Sequence, residues 1–187
     1  MHSQQLARAK KVSVRYFRAI LRHLRMTGSV LQISVSPGGV PKHAVLVANV
    51  TSEGIAGDGH KNPQIHGGPQ RALLLITAEG LEELAALGFA VTPGALGENI
   101  TTRDIPRREW RIGQRWRIGE NVVIEITKRR SPCSALNRYG PKIQSAVFDA
   151  LVEAEDPSSP KWGLSGFYAS VVTPGIIRPG DTIAVCK

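Results

Sequence analysis

The longest uninterrupted apolar runs in this chain are about five residues, as at 72–76, and 19 glycines and 12 prolines punctuate the sequence between them. A chain divided this finely cannot supply the roughly 20 consecutive apolar residues that cross a bilayer as a helix, and it favours many short strands over long buried helices. Alternating or β-branched runs recur at 30–35, 44–50, 72–76, 115–118, 122–126, 167–172 and 182–186. The runs 115–118 and 122–126, with Gly119-Glu120-Asn121 between them, predict a hairpin. Two helices are expected. The first follows Thr77 as N-cap, carries Glu79 in its first turn, presents Leu81, Leu84, Ala85 and Leu87, and stops at Gly88. The second spans 141–154 with Ile143, Val147, Ala150 and Leu151 on one face. The fold class is therefore mostly β, a closed or partly closed barrel with a few packed helices. Asp156-Pro157-Ser158-Ser159-Pro160 reads as a surface loop suited to an excursion near a site.

The 187 residues suit one domain with a real core, and 42% hydrophobic against 21% charged residues argues against disorder. The formal charge of +9 is concentrated at one end: residues 1–25 hold seven Lys or Arg and no Asp or Glu. With Val12, Val14, Tyr16, Phe17, Ile20, Leu21 and Leu24 interleaved, this segment is a basic N-terminal extension, helical or disordered. It reads as an upstream extension of the reading frame before Met26, as an arm for an acidic partner, or as an Arg-rich targeting peptide; residues 26–187 form the domain. Nucleic acid is not the expected partner of that nearly neutral domain, which offers no aromatic platform for stacking bases, and a nucleic-acid-associated protein acting through the basic arm stands as an alternative reading. Cys133 and Cys186 belong to no C-x-x-C pair, so free thiols in a reducing, cytoplasmic setting are expected.

Four polar knots interrupt the core-forming sequence, each set in glycine or proline: Gly57-Asp58-Gly59-His60, His66-Gly67-Gly68-Pro69-Gln70-Arg71, Gly97-Glu98-Asn99 and Pro132-Cys133. Cys133 follows Lys128, Arg129 and Arg130, and local positive charge favours the thiolate, which is both nucleophile and soft metal ligand. The alternative is a small buried apolar residue beside solvent-facing arginines. Asp58 and His60, two apart, point the same way in an extended segment, and with His66 they offer a divalent metal two imidazoles and a carboxylate, the equipment of a hydrolase. Equally, Asp58 orients His60 or caps a glycine turn. The Gly67 and Gly68 amides and the Arg71 guanidinium suit an anion, unless Arg71 instead pairs with Glu98 to tie two loops together. Asn99 can donate and accept at once, which suits the edge of a heterocycle, while Glu98 reads as a buried loop anchor.

Taken in order, these knots, together with Ile112-Gly113, Arg130-Ser131-Pro132-Cys133 and Arg178-Pro179-Gly180-Asp181, resemble the MOSC domain found at the C-terminus of molybdenum cofactor sulfurases and in stand-alone bacterial proteins. The resemblance runs from about Thr27 to Val185. It implies a MOSC-type β-barrel, binding of the pterin-based molybdenum cofactor (molybdopterin), and a cysteine, here Cys133, that ligates molybdenum or carries sulfur. It further implies reduction of N-hydroxylated compounds, or sulfur transfer for cofactor maturation, with an electron-donor protein or a cysteine desulfurase as partner. On that reading Arg71, Arg130 and the Gly67 and Gly68 amides hold the cofactor's anionic groups. Asn99 and His66 recognise its ring system, and Asp58 and His60 set loop geometry or relay protons. Two positions depart from the pattern: Gln114 where Asp usually follows Ile-Gly, and Ser170 where an arginine often precedes the valine-rich strand.

Overall fold

The computed structural model describes residues 26–59 and 67–186. The expected mostly β barrel is what forms. In chain order the strands are β1 (Thr27–Val35), β2 (His43–Val45), β3 (Ala48–Thr51), β4 (Gly54–Ile55), β5 (Leu73–Thr77), β6 (Ile100–Arg103), β7 (Arg115–Ile118), β8 (Val122–Arg129), β9 (Phe167–Thr173), β10 (Gly175–Ile177) and β11 (Thr182–Val185). Among the described residues seven of these close into a ring in the order β1-β11-β7-β8-β9-β5-β6 and back to β1, while β2 extends β1 outside it. All contacts around the ring are antiparallel except β5 with β6. β1 serves three partners, and a register shift against β6 between Val30 and Gln32 accompanies its change of neighbours. A small antiparallel sheet, β10-β3-β4, lies outside the ring.

Strict alternation fills the barrel. In the β7–β8 hairpin Trp116 faces Ile124 and Ile118 faces Val122, all fully buried, while Arg115 and Arg117 point outward. Trp116 stacks on Trp110 with ring centroids 4.4 Å apart, and Trp162 meets Phe167 edge-on at 5.3 Å. The Trp162 Nε1 donates to the Trp110 carbonyl at 3.0 Å, so one aromatic column ties the segment before β7 to the approach to β9. No helix among the described residues is long and apolar enough to cross a membrane.

A second core lies on the outer side of the barrel wall. Helix α1 (Ala78–Ala86) starts where Thr77 Oγ1 accepts the Gly80 amide at 3.1 Å, and buries Leu81 and Leu84 against Ile76, Leu96, Leu136, Ile143, Val147 and Leu164. Ala85 and Leu87 stay exposed instead of joining the apolar stripe, because the chain reverses at Gly88 directly after them. The expected single helix over 141–154 is two: α2 (Ile143–Val147) and α3 (Ala150–Glu153). Between them Phe148 is extended, and Asp149 caps the second piece by accepting the Val152 amide at 2.8 Å and the Ser159 hydroxyl at 2.8 Å. A satisfied cap on Asp149 outweighs continuation of the helix. Val152, not Leu151, then faces inward, and Leu151 is exposed.

The 156–160 loop is likewise a packing element rather than a site excursion. Ser159 is fully buried against Asp149, and Arg107, held by Glu83 at 2.6 and 2.9 Å, donates to the Pro160 and Trp162 carbonyls. Gln114 closes a turn of its own: its Oε1 accepts the Arg111 amide at 2.7 Å.

Candidate functional site

Alternation along β5 and β9 sets the floor of a cleft. Leu73 and Leu75 face the barrel interior, so Leu74 points out, and its register partner Tyr168 points out beside it. Around this pair a cleft of about 460 Å³ opens between the barrel wall and the second core. Among the described residues it is lined by Gly39, Val40 and Lys42 from the loop after β1, by Gly59, by Gly67 and Arg71, by Leu96, Gly97 and Asn99, and by Arg130, Cys133, Ser134 and Ala135 after β8. All four glycine- or proline-set knots therefore contribute to one cavity. Lys42 and Tyr168 join them without having been expected. Lys42 carried a usable signal, since it ends Pro37-Gly38-Gly39-Val40-Pro41, another such setting; Tyr168 is hidden within an ordinary strand pattern.

One wall is locked by Asn99. Its backbone N–H donates to the Leu74 carbonyl at 2.8 Å, and its Oδ1 accepts the Leu74 amide at 3.1 Å. Its Nδ2 donates to Asp58 Oδ2 at 2.7 Å and to the Ser34 carbonyl at 3.4 Å. Both amide protons are thus used within the protein. Asp58 also accepts the Ser36 amide at 2.9 Å and forms an ion pair with Lys42, both side chains being about 95% buried. Burial holds the Lys42 ammonium below its ordinary range, against the opposing pull of Asp58 and then Glu98. Lys42 is anchored in turn by donation of its amide to the Gly94 carbonyl at 2.9 Å. Gly94 has φ +89, and a Cβ there would stand 2.4 Å from the Lys42 carbonyl oxygen, so only glycine fits.

The opposite wall carries the thiol. Cys133 is half-buried and free, as is Cys186, and it begins the 3₁₀ segment Ser134–Tyr139. Fully buried Leu136 pins that segment into the second core. Of the three preceding cations only Arg130 shares the cleft. Arg129 is drawn away to Ser131 Oγ at 2.7 Å, the Glu153 carbonyl at 2.9 Å and the Phe148 ring at 5.0 Å. Lys128 stands outside the cleft; burial, then the Arg71 and Arg129 charges, press its ammonium below the ordinary value. Arg71 lies over the Tyr168 ring at 5.8 Å. Arg130 is 6% exposed, and among the described residues its guanidinium has no hydrogen-bond partner, with Nη1 fully buried. Behind it Glu98 is a loop anchor, accepting the Gly94 amide at 2.6 Å, the Leu96 amide at 3.2 Å and the Thr101 hydroxyl at 3.1 Å. The pairing of Glu98 with Arg71 does not occur: the carboxylate faces Gly94, Leu96 and Thr101, and the arginine that bears on it is Arg130. Ser170 does not itself line the cleft, although it lies on the same face of β9 as Tyr168, which does.

A buried arginine without a partner is costly unless an anion meets it. The cleft thus suits a ligand with anionic groups, since Arg130 and Arg71 line it beside the sulfur of Cys133. Among the described residues no group of three or more His, Cys, Asp or Glu is placed to hold a metal ion. A metal that arrives with its own chelating ligand needs only one protein donor, and the free thiol of Cys133 lines the cleft. Asp58 enters a divalent-metal site only by giving up the Lys42, Asn99 and Ser36 contacts. His60 and His66 lie outside the described residues, as does the basic segment 1–25.

Comparison with known proteins agrees with this fold. A family model for the MOSC domain matches residues 62–184. The chain is 32% identical over 133 residues to protein YiiM of Escherichia coli (strain K12), covering 67% of this chain and 53% of that one. It is 27% identical over 142 residues to a protein of Gibberella moniliformis (strain M3125 / FGSC 7600) named a reductase, covering 73% of this chain and 23% of that one. The chain thus spans about half the length of the bacterial relative and about a quarter of the fungal one. The crystal structure of YiiM from Geobacillus stearothermophilus shares the fold with a TM-score of 0.64 at 21% identity, covering 86% of this chain and 75% of that one.

Two predictions concern the walls of the cleft. Lys42→Ala or Asp58→Ala alone leaves a buried charge unpaired and lowers stability by about 3–5 kcal/mol, and the double variant loses less than the sum of the two, as urea unfolding measures. Burial raises the Glu98 carboxyl above its ordinary 4.5, so from there upward the native state binds more protons than the unfolded chain. Its contribution to stability is complete below pH 4.5 and is lost as pH rises through its folded value. Glu98→Gln removes that fall from a series of unfolding curves.

Proposed function

The chain belongs to the MOSC domain family, and on that premise we propose that its cleft binds the molybdenum–pterin cofactor with Cys133 as the protein's sulfur ligand to the metal. The observation that carries this reading is a free, half-buried thiol in the same cavity as an arginine that is buried without a hydrogen-bond partner among the described residues. Arg130 and Arg71 hold the anionic groups, assisted by the Gly67 backbone. Tyr168 and Leu74 give the ring system a flat floor. Asn99, with both amide protons committed, acts as a positioning residue that keeps the Asp58 and Lys42 wall in place.

The reaction class we infer is reduction of small N-hydroxylated compounds, in keeping with the name of the fungal relative. When bound, the cofactor supplies two-electron redox chemistry suited to removing oxygen from nitrogen. The overall change, an N-hydroxyl amine to the amine and water, consumes two electrons from a protein electron donor and two protons. Lys42 borders the cleft and holds a proton at Nζ beside Asp58, while Val40, Leu74 and Leu96 limit water. Sulfur carriage by a Cys133 persulfide, fed by a desulfurase, is the competing use of the same thiol. Native mass measurement separates the two, because a sulfur adduct lost on reduction, without molybdenum, belongs to the carrier alone.

Expression in a host that makes the cofactor provides the test. Cys133→Ala is expected to lower molybdenum per chain by at least the roughly 10- to 100-fold typical of losing a supporting partner, with an unchanged circular dichroism spectrum. Equal loading of the two proteins removes Cys133 as ligand.

A further inference from the structure

The loop between β1 and β2 forms one lip of the cleft and is anchored firmly at its ends. At the first end the Ser36 amide donates to Asp58 at 2.9 Å and the Gly59 amide donates to the Ser36 carbonyl at 2.6 Å; at the second the Lys42 amide donates to the Gly94 carbonyl at 2.9 Å. Between these anchors lie Gly38 and Gly39, with φ +151 and +97. A Cβ on Gly39 would meet nothing within 4 Å, so the tip of the loop faces open space. Ser36 Oγ stiffens the tip from within, donating to the Gly39 carbonyl at 3.1 Å and accepting the Gly38 amide at 3.2 Å. Val40 leans on the bare backbone of Gly97, where a Cβ would stand 2.7 Å from Val40 Cγ1. The opposite lip is the 3₁₀ segment Ser134–Tyr139, which follows Cys133 and is pinned by Leu136. From that lip Arg138, exposed and outside the cleft lining, reaches over the gap and donates from Nη1 to the Val40 carbonyl. Among the described residues this is the one hydrogen bond that joins the two lips.

We propose that Arg138 is a clasp across the mouth of the cleft, and that it sets the size of molecule that reaches Cys133 Sγ. This rests on the reading of the Cys133 cleft as the functional site, but not on which ligand fills it. An exposed guanidinium that donates to a neutral carbonyl exchanges that bond readily for one with water, so the clasp opens at small cost. The anchors hold when it does, because Ser36 is fixed by the buried Asp58 wall and Lys42 by Gly94. Two fixed ends with a glycine-rich span between them make a hinged flap. Arg138 shares its short segment with Leu136, which is fully buried, so release moves the Val40 lip and leaves the thiol where it is. Small molecules pass with the clasp closed. A ring system that fills much of the cleft's roughly 460 Å³ needs it released to enter, and is retained when it re-forms. Arg138 is thus a specificity-determining residue that touches neither the thiol nor the cleft floor.

Alkylation of Cys133 in the cofactor-free chain reads the mouth directly, in a Cys186→Ser background so that a single thiol reports. Ethylmaleimide is the small probe and pyrenylmaleimide the bulky one. Both are neutral and attack the same thiolate, so the ratio of their rates cancels any change in thiol acidity and leaves access alone. With the clasp intact, pyrenylmaleimide is expected to lag behind ethylmaleimide several-fold more than it does on N-acetylcysteine. An equal lag on protein and model thiol overturns the proposal before any variant is made. Arg138→Met keeps the length of the side chain and removes the donor; it is expected to raise the bulky-to-small rate ratio by about three- to tenfold, the worth of one hydrogen bond. Arg138→Lys retains a charged donor and is expected to stay closer to the unsubstituted chain. A ratio unmoved by Arg138→Met overturns the clasp, and so does a rise in Arg138→Lys as large as that in Arg138→Met. Failure to load molybdenum bears on the cofactor reading alone, because alkylation needs no cofactor.

Discussion

A single buried amide, that of Asn99, connects three parts of the chain far apart in sequence. It joins the backbone at Leu74 in β5, the Ser34 carbonyl near the end of β1, and the Asp58 carboxylate beyond β4. Because both its protons are spent, movement of any one of these segments would strand a buried polar group, at about 1–3 kcal/mol for each bond lost. The Asp58–Lys42 pair depends on this arrangement, and Lys42 in turn fixes the glycine turn that carries Glu98. The cavity is thereby built before any ligand arrives. Such preorganisation lets binding energy go into recognition rather than into ordering loops.

The charge of the molecule is distributed with a purpose that its total obscures. Much of the formal +9 lies in residues 1–25, whereas the cleft gathers Lys42, Arg71 and Arg130. Lys42 is neutralised by Asp58, but Arg130 is left without a hydrogen-bonding partner. This inequality is what points to an anionic ligand. Cys133 adds the soft donor, and its 3₁₀ segment is held to the second core by Leu136 rather than by the site itself. The cleft-lining thiol and the packing into the second core are therefore on different sides of the same short segment.

Much of this was legible in the sequence. Two-residue periodicity identified the barrel strands, because interior and exterior faces are strictly distinguished in a closed sheet, and the glycine-set knots identified the cleft, because close backbone approach needs glycine. What the sequence concealed was competition between local and tertiary forces. Apolar spacing over 141–154 suggested one helix, yet the Asp149 cap and its bond to buried Ser159 divided it. The run at 44–50 read as one strand, but β2 pairs with β1 and β3 with β10, so it divides at Leu46 and Val47. β4 and β10, of two and three residues, were too short to show periodicity. Among the site residues, the spacing of Asp58 suggested a metal ligand, whereas its partners proved to be Lys42 and Asn99, both distant in sequence. Proximity of Arg129 and Lys128 to Cys133 along the chain was no guide either, since Arg129 turns to the Glu153 carbonyl and the Phe148 ring and neither residue lines the cleft.

The central claim is that one thiolate of this chain joins the metal of a cofactor held by the surrounding cations. Molybdenum K-edge absorption of the loaded protein tests it most directly, by counting sulfur neighbours of the metal in the wild type and in Cys133→Ser. The account predicts one more sulfur in the wild type. Equal sulfur counts at equal molybdenum loading contradict it.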